Sequence, residues 1–301
     1  MTFDTLLLFI FNIIAISLTF VFVKEYKKDA PVFYSAVRML ITSLIFVIAF
    51  FALGGAQKGL KISNVLLVIA LAVLYVICYY FTVLALKEGP MSISSLIFAF
   101  ALLIPAVYGI IFLHNPVGLF FFIGLALFIA CVFLINYEPK NNGEDEKQSK
   151  ITLKWLFYVL IAAIADGVGS IIISISGQTP SGSNEEVLFN GVTFLMVGFL
   201  LTTVILFIIS LFKERTKIKS NLKSVAVLGG SCGLFTGIAL ILMMYFTNLN
   251  IISNATYFPV YSGGQLVICS LIGILGYKEK YSPIQYVGII LGIASVIFLN
   301  L

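Results

Sequence analysis

Apolar residues run through this chain in ten blocks: about 3–23, 31–53, 62–86, 92–113, 117–136, 153–175, 188–212, 224–246, 254–276 and 283–300. Each is close to the ~20 residues that a helix needs to cross ~30 Å of hydrocarbon at 1.5 Å per residue. The breaks have local causes. DAP at 29–31, EGP at 88–90, HNP at 114–116 and YSP at 281–283 place proline at or just before a helix start, where its missing N–H costs nothing. The longest polar stretch, YEPKNNGEDEKQSK at 137–150, reads as a solvated linker.

Composition makes the membrane the solvent. Of 301 residues, 61% are hydrophobic and 10% charged, against ~25% charged in a soluble domain. The net charge of +5 therefore needs no nucleic-acid partner. The first block carries Asp4 and no upstream lysine, unlike a signal peptide, and reads as an uncleaved span. Cys78, Cys131, Cys232 and Cys269 all fall inside apolar blocks, and none forms a CxxC pair. They read as small buried hydrophobes, with no disulfide, structural metal or cofactor expected.

Charge placement predicts orientation. Fifteen of the eighteen Lys and Arg follow the first, third, fifth, seventh and ninth blocks; Lys58 and Lys61 lie on the other side, and Arg38 sits within a block. Positive loops stay cytoplasmic, so both termini are expected outside a plasma membrane. The fifth and tenth blocks also resemble each other. GLALFIACVFLIN at 124–136 and GIILGIASVIFLN at 288–300 share six of thirteen residues without gaps. Five is odd, so a second five-helix half would run through the membrane inverted. The expected fold is all-α and integral to the membrane, with ten transmembrane helices in two inverted five-helix repeats. The halves are residues 1–136 and 152–301, joined by a cytoplasmic linker at 137–151. Such repeats are the architecture of secondary transporters, with a site near the midplane where the halves meet.

Residues 243–298 resemble the EamA-type half of the drug/metabolite transporter superfamily. The likeness rests on Phe258-Pro259 in the ninth span, Glu279 in the short basic turn, and Gln285 followed by Gly288 and Gly292. The first half resembles it more loosely, through CYYFTVLALKEGPMSISSLI at 78–97 and Arg38 in SAVRML. His114-Asn115 stands where the repeat would place the acidic turn residue, and the first span lacks the usual tryptophan. The resemblance implies ten helices, alternating access and transport of small metabolites, commonly outward.

Asp166, in LIAAIADGVGSIII, is the one acidic residue in the middle of a span. A central Asp costs ~2.5–3.5 kcal/mol to insert, which a handful of Leu and Ile offsets. It is either a carboxyl packed beside Gly167, Gly169 and Ser170, or a cavity group that binds a proton or a substrate amine. Arg38 lies seven residues past Pro31, roughly 10 Å deep at 1.5 Å per residue. It is assigned a gating or structural role, by snorkelling to the cytoplasmic surface or pairing within the protein; binding of an anionic group is the alternative. Tyr257, Tyr261, Gln265 and Cys269 lie four apart on one face of the ninth span, where Pro259 can kink the helix. Tyr257, near the outer end, also suits an interfacial aromatic. Tyr75, Tyr79 and Thr82 form a face on the third span, and Asn12 lies mid-way along the first. Polar faces in lipid must turn toward protein or water. The candidate substrate-binding set is Asn12, Tyr75, Tyr79, Asp166, Tyr261 and Gln265, with Asp166 also the proton-coupling residue. Pro259 is a candidate pivot and Glu279 a candidate salt-bridge or helix-end residue. Gly229, Gly233 and Gly237, four apart, form a ridge for close helix approach.

These features favour a proton-coupled exporter of a small metabolite or drug-like solute, an amino acid or amine first. The expected partners are that solute, the lipid bilayer and protons, for a monomer or homodimer. An intramembrane enzyme fits less well: an aspartyl protease needs two carboxylates within spans, a zinc protease needs HExxH, and the sole histidine is His114. No catalytic residue is assigned. A non-transporting receptor or scaffold would leave the mid-span polar faces unexplained.

Overall fold

The computed structural model describes residues 3–59, 64–88, 94, 97–98, 101, 103–135, 152–177, 183–276 and 282–299. Helices are α1 (Phe3–Glu25), α2 (Pro31–Ala52), a single turn α3 (Gly55–Lys58), α4 (Val65–Glu88), α5 (Leu103–Ile111) and α6 (Leu119–Ile135). They continue with α7 (Leu153–Ile175), α8 (Asn184–Lys213), α9 (Arg215–Ser224), a π segment (Val225–Gly229), α10 (Gly230–Asn248), α11 (Asn254–Gly276) and α12 (Pro283–Leu299). There is no strand among the described residues.

The helices start where the sequence offers a cap. Pro31 opens α2, Thr152 Oγ1 accepts from Trp155 N at 3.1 Å, and Ser183 Oγ accepts from Glu186 N at 3.3 Å. The two hydroxyls each satisfy an amide that the helix cannot pair itself, and Pro31 has no N–H to leave unpaired. The Ser183 cap, with Glu185 and Glu186 in the first turn, starts α8 four residues before the apolar pattern suggested. The larger departure is α9. RTKIKSNLKS was expected as a loop and is helical, running through the π segment into α10. Its lysines, arginine and leucine are good helix formers with no Pro or Gly among them, and hydropathy cannot detect a polar helix.

Polarity is inside out relative to a water-soluble protein. Asn12, Ser17, Ser35, Thr42, Ser43, Thr193 and Thr202 are buried, while Phe3, Leu66, Ile48, Phe51 and Val204 face outward. Several buried hydroxyls return to their own helix, as Ser17 does to Ile13 O and Thr193 to Phe189 O. This distribution fits a lipid surround, where no backbone or side-chain donor can rely on water. Six helices among the described residues are long and apolar enough to cross a membrane, of the ten spans expected: Phe3–Glu25, Pro31–Ala52, Val65–Glu88, Leu153–Ile175, Asn184–Lys213 and Arg215–Asn248. The fourth predicted span is described only in part.

The principal packing pairs are α6 with α12, α2 with α8, α4 with α7, α2 with α10, α1 with α10 and α5 with α11. The glycine ridge seats α10 on α2. A Cβ on Gly233 would collide with the Arg38 carbonyl oxygen, and one on Gly237 would lie 2.6 Å from Ile45 Cδ1. Thr42 Oγ1 closes this contact by donating to Gly233 O at 3.0 Å.

Candidate functional site

A cavity lies among α1, α2, α4, α7, α10 and α11. Arg38 comes from α2; Tyr75, Cys78, Tyr79 and Thr82 from α4; Asp166 and Ser170 from α7; Thr236 and Met243 from α10; Tyr261 and Gln265 from α11. Ile16, Thr19, Phe20, Val23, Leu86, Phe98 and Leu240 complete the wall. Its volume is about 60 Å³, room for a few waters. Anything larger than that requires the helices to part.

The two charges of opposite sign in this cavity do not pair with each other. Asp166 Oδ1 accepts a long contact from Cys78 Sγ at 3.9 Å. Arg38 is buried, donates from Nε to Thr236 Oγ1 at 2.9 Å, and lays its guanidinium over the Tyr79 ring at 4.1 Å. This cation–π contact and the Thr236 hydroxyl hold the head group in the interior, so Arg38 does not snorkel. Among the described residues, ion pairs within 4.0 Å occur at Lys87–Asp29 and Lys154–Glu88, both away from the cavity. Carboxylate and guanidinium thus face one volume with most of their hydrogen-bonding capacity unspent.

Local packing fixes this geometry. Gly169 lets the Tyr75 ring approach α7, where a Cβ would meet Tyr75 Cε2 at 2.8 Å. The Tyr75 ring lies tilted against Tyr79 at 5.1 Å and edge-on to Phe199 at 5.3 Å. The glycines beside Asp166 therefore serve packing, while Asp166 and Ser170 turn to the cavity.

Asn12 stands apart from the rest of the expected set. It lies outside the cavity lining and donates from Nδ2 to the Tyr257 hydroxyl at 2.6 Å. Its Oδ1 is buried without a partner. Tyr257 is fully buried rather than interfacial. Its ring stacks on Tyr261 at 5.3 Å and packs on Phe9 at 5.4 Å and Phe246 at 6.0 Å. This ring cluster closes the cavity toward the end where α1 and α11 begin. At the other end the lining continues to Val23 and Leu86, two residues before α1 and α4 finish. Lys24, Lys87, Lys154 and Lys213 mark that end as basic.

Pro259 lies inside α11, and Ser262 Oγ donates to its carbonyl at 3.2 Å. Glu279 lies outside the described residues. Thr236 was missed by the sequence reading. A threonine in an apolar helix gives no signal until its partner across 198 residues is known. Glu214 was missed as well. Its two carboxylate oxygens accept from Val32 N at 3.1 Å and Phe33 N at 2.8 Å, capping α2 from the end of α8.

Residues 5–137 match the model of the EamA-like transporter family. Over these residues the chain resembles that family, consistent with the drug/metabolite transporter superfamily, and its long apolar helices are those of a multi-pass membrane protein. The match falls on the half in which the sequence motifs were looser. No curated protein matches. A solved structure described as "Crystal structure of protein" is similar over 99% of this chain and 96% of its own, with 12% identity and a TM-score of 0.70. At that identity the likeness speaks for the fold.

Proposed function

We propose that this protein is a secondary transporter working by alternating access, exchanging protons for a small solute with an amine or amino-acid head group. The observation that carries the reading is the unpaired Asp166 and Arg38 in one cavity walled by Tyr75, Tyr79 and Tyr261. Asp166 receives a proton or the substrate amine in turn. Arg38 offers its free guanidinium edge to a carboxylate, and the tyrosines supply apolar area and hydroxyls. EamA-like transporters are not enzymes, and the cavity needs no cofactor for this cycle.

Ten helices in two inverted halves, 1–136 and 152–301, are the architecture we infer, with 137–151 as the linker. Packing supports it. Number the spans one to ten in chain order, with the π segment and α10 in the eighth. Exchanging each span for the one five away maps α2–α8, α5–α11 and α6–α12 onto themselves. It also maps α4–α7 onto α1–α10, and α2–α10 onto α4–α8. The basic end is then cytoplasmic and both termini lie outside a plasma membrane. The cavity reaches toward the cytoplasm, and the Asn12–Tyr257 ring cluster is the closed outer gate. Asn12 thus acts at the gate in this conformation rather than on the solute.

Purified protein in liposomes with an imposed pH gradient tests this. Accumulation of an amino acid or amine that collapses with the gradient is expected. Asp166→Asn should lower it by tenfold to a hundredfold, the scale of one lost charge-assisted contact at ~1.5–3 kcal/mol. Full gradient-driven flux in the variant would remove Asp166 from the mechanism.

A further inference from the structure

The basic end carries a surface that the cavity does not use. α9 and the turn before it hold Lys213, Arg215, Lys217, Lys219 and Lys223, all exposed. The one acidic residue of the segment, Glu214, is buried with both oxygens committed to the amides of Val32 and Phe33. Lys213 is spent on the Tyr80 hydroxyl at 2.7 Å. The Asp29 carboxyl is held below its usual range by Lys87 first, and the charges of Lys217 and Lys28 add to this, so Lys217 is already partly compensated. Arg215, Lys219 and Lys223 remain. Spaced by four, they form one stripe along the helix, and no ion pair engages them among the described residues.

Apolar side chains flank this stripe. Phe212 is 88% exposed immediately before the turn, and Leu211, Leu222 and Val227 are exposed around it. In water such a mixture would be unfavourable. At a membrane interface the cations meet phosphates while the apolar groups meet acyl chains. The change from Phe212 to Lys213 at the end of an apolar helix places the polar boundary at this turn.

We propose that the Arg215–Lys219–Lys223 stripe is a binding site for the phosphate of an anionic phospholipid, with Phe212 and Leu222 on its acyl chains. The assignment rests on membrane placement alone and is independent of the transport reading. A site of this kind abuts the Glu214 cap on α2, the helix that carries Arg38, so lipid charge is positioned to act on the cavity.

The test is binding of a fluorescent phosphatidylglycerol and its phosphatidylcholine counterpart to the full-length protein in neutral detergent micelles. Wild type should prefer phosphatidylglycerol, and the preference should weaken with salt. Arg215→Gln/Lys219→Gln should lose about fivefold in affinity per charge removed, from ~1 kcal/mol for each interfacial cation. Lys27→Gln/Lys28→Gln, removing two exposed charges from the same end, should lose clearly less. An equal loss in both pairs means a diffuse field and overturns the site. Retention of the preference in the α9 pair overturns it also. Competition by glycerol phosphate at the lipid's own concentration would show a free-phosphate site and overturn the lipid assignment; no competition supports it.

Discussion

The two ends of the cavity are closed by different physics. Toward the start of α1 and α11, rings do the closing. Phe9, Phe246 and Tyr257 pack within 6.0 Å of one another, Tyr261 stacks on Tyr257 at 5.3 Å, and Asn12 donates one buried hydrogen bond to Tyr257. Toward the basic end, ties are polar and peripheral: Lys87 with Asp29, Lys154 with Glu88, Lys213 with Tyr80, and Glu214 on α2. Exposed ion pairs contribute little, because water screens them and long side chains lose entropy. Buried rings keep their dispersion contacts in lipid, where water competes for neither ring nor hydroxyl. The difference teaches how the proposed cycle divides the work: the ring end is its lock in this conformation and the basic end its door.

The hardest blow to that contrast is Phe246→Ala. The side chain is fully buried and packs on Phe9, Tyr245 and Tyr257. Its loss should destabilise the fold by about 3 kcal/mol, near the low end for a deleted core ring because lipid supplies no transfer gain. Thermal unfolding in detergent measures it. Tyr257→Phe is milder. It keeps the stack and removes the bond from Asn12, costing about 1 kcal/mol, and should raise solute leak through the ring end in liposomes. A variant as tight as wild type would reduce the Asn12 bond to packing.

Glu214→Gln sharpens the other end. Burial raises the Glu214 carboxyl above its usual value, outweighing the two amide donors that favour its charged form. A raised folded-state value means stability that is complete below the unfolded value of ~4.3 and is lost as pH rises through the folded one. Wild-type melting temperature should therefore carry a downward component as pH rises from the ordinary carboxylate range, and Glu214→Gln should lack it. Identical pH profiles for the two proteins would mean that the cap does not titrate. This effect should be the smallest of the three.

Much of this was legible in the sequence because lipid makes polarity informative. Arg38, Asp166 and the tyrosines of α4 and α11 stand out in apolar blocks, and the fold brings Tyr75, Tyr79, Asp166, Tyr261 and Gln265 to one cavity. What stayed hidden was relational. Asn12 and Tyr257 are 245 residues apart and gave no sign of bonding each other. Thr236 and Glu214 act on groups across the chain. The helical nature of α9 was lost because a polar helix resembles a loop to a hydropathy reading. Glycine spacing in α10 did foretell a close approach, but α2 as its partner came from the structure.

The most direct measurement uses Cys78, which lines the cavity beside Asp166. With Cys131, Cys232 and Cys269 replaced by alanine, oriented vesicles are exposed to a membrane-impermeant thiol reagent from one face at a time. The account predicts labelling of Cys78 from the basic face, slowed by whichever amino acid or amine the flux assay identifies. Labelling that is faster from the opposite face, or indifferent to that solute, would contradict it.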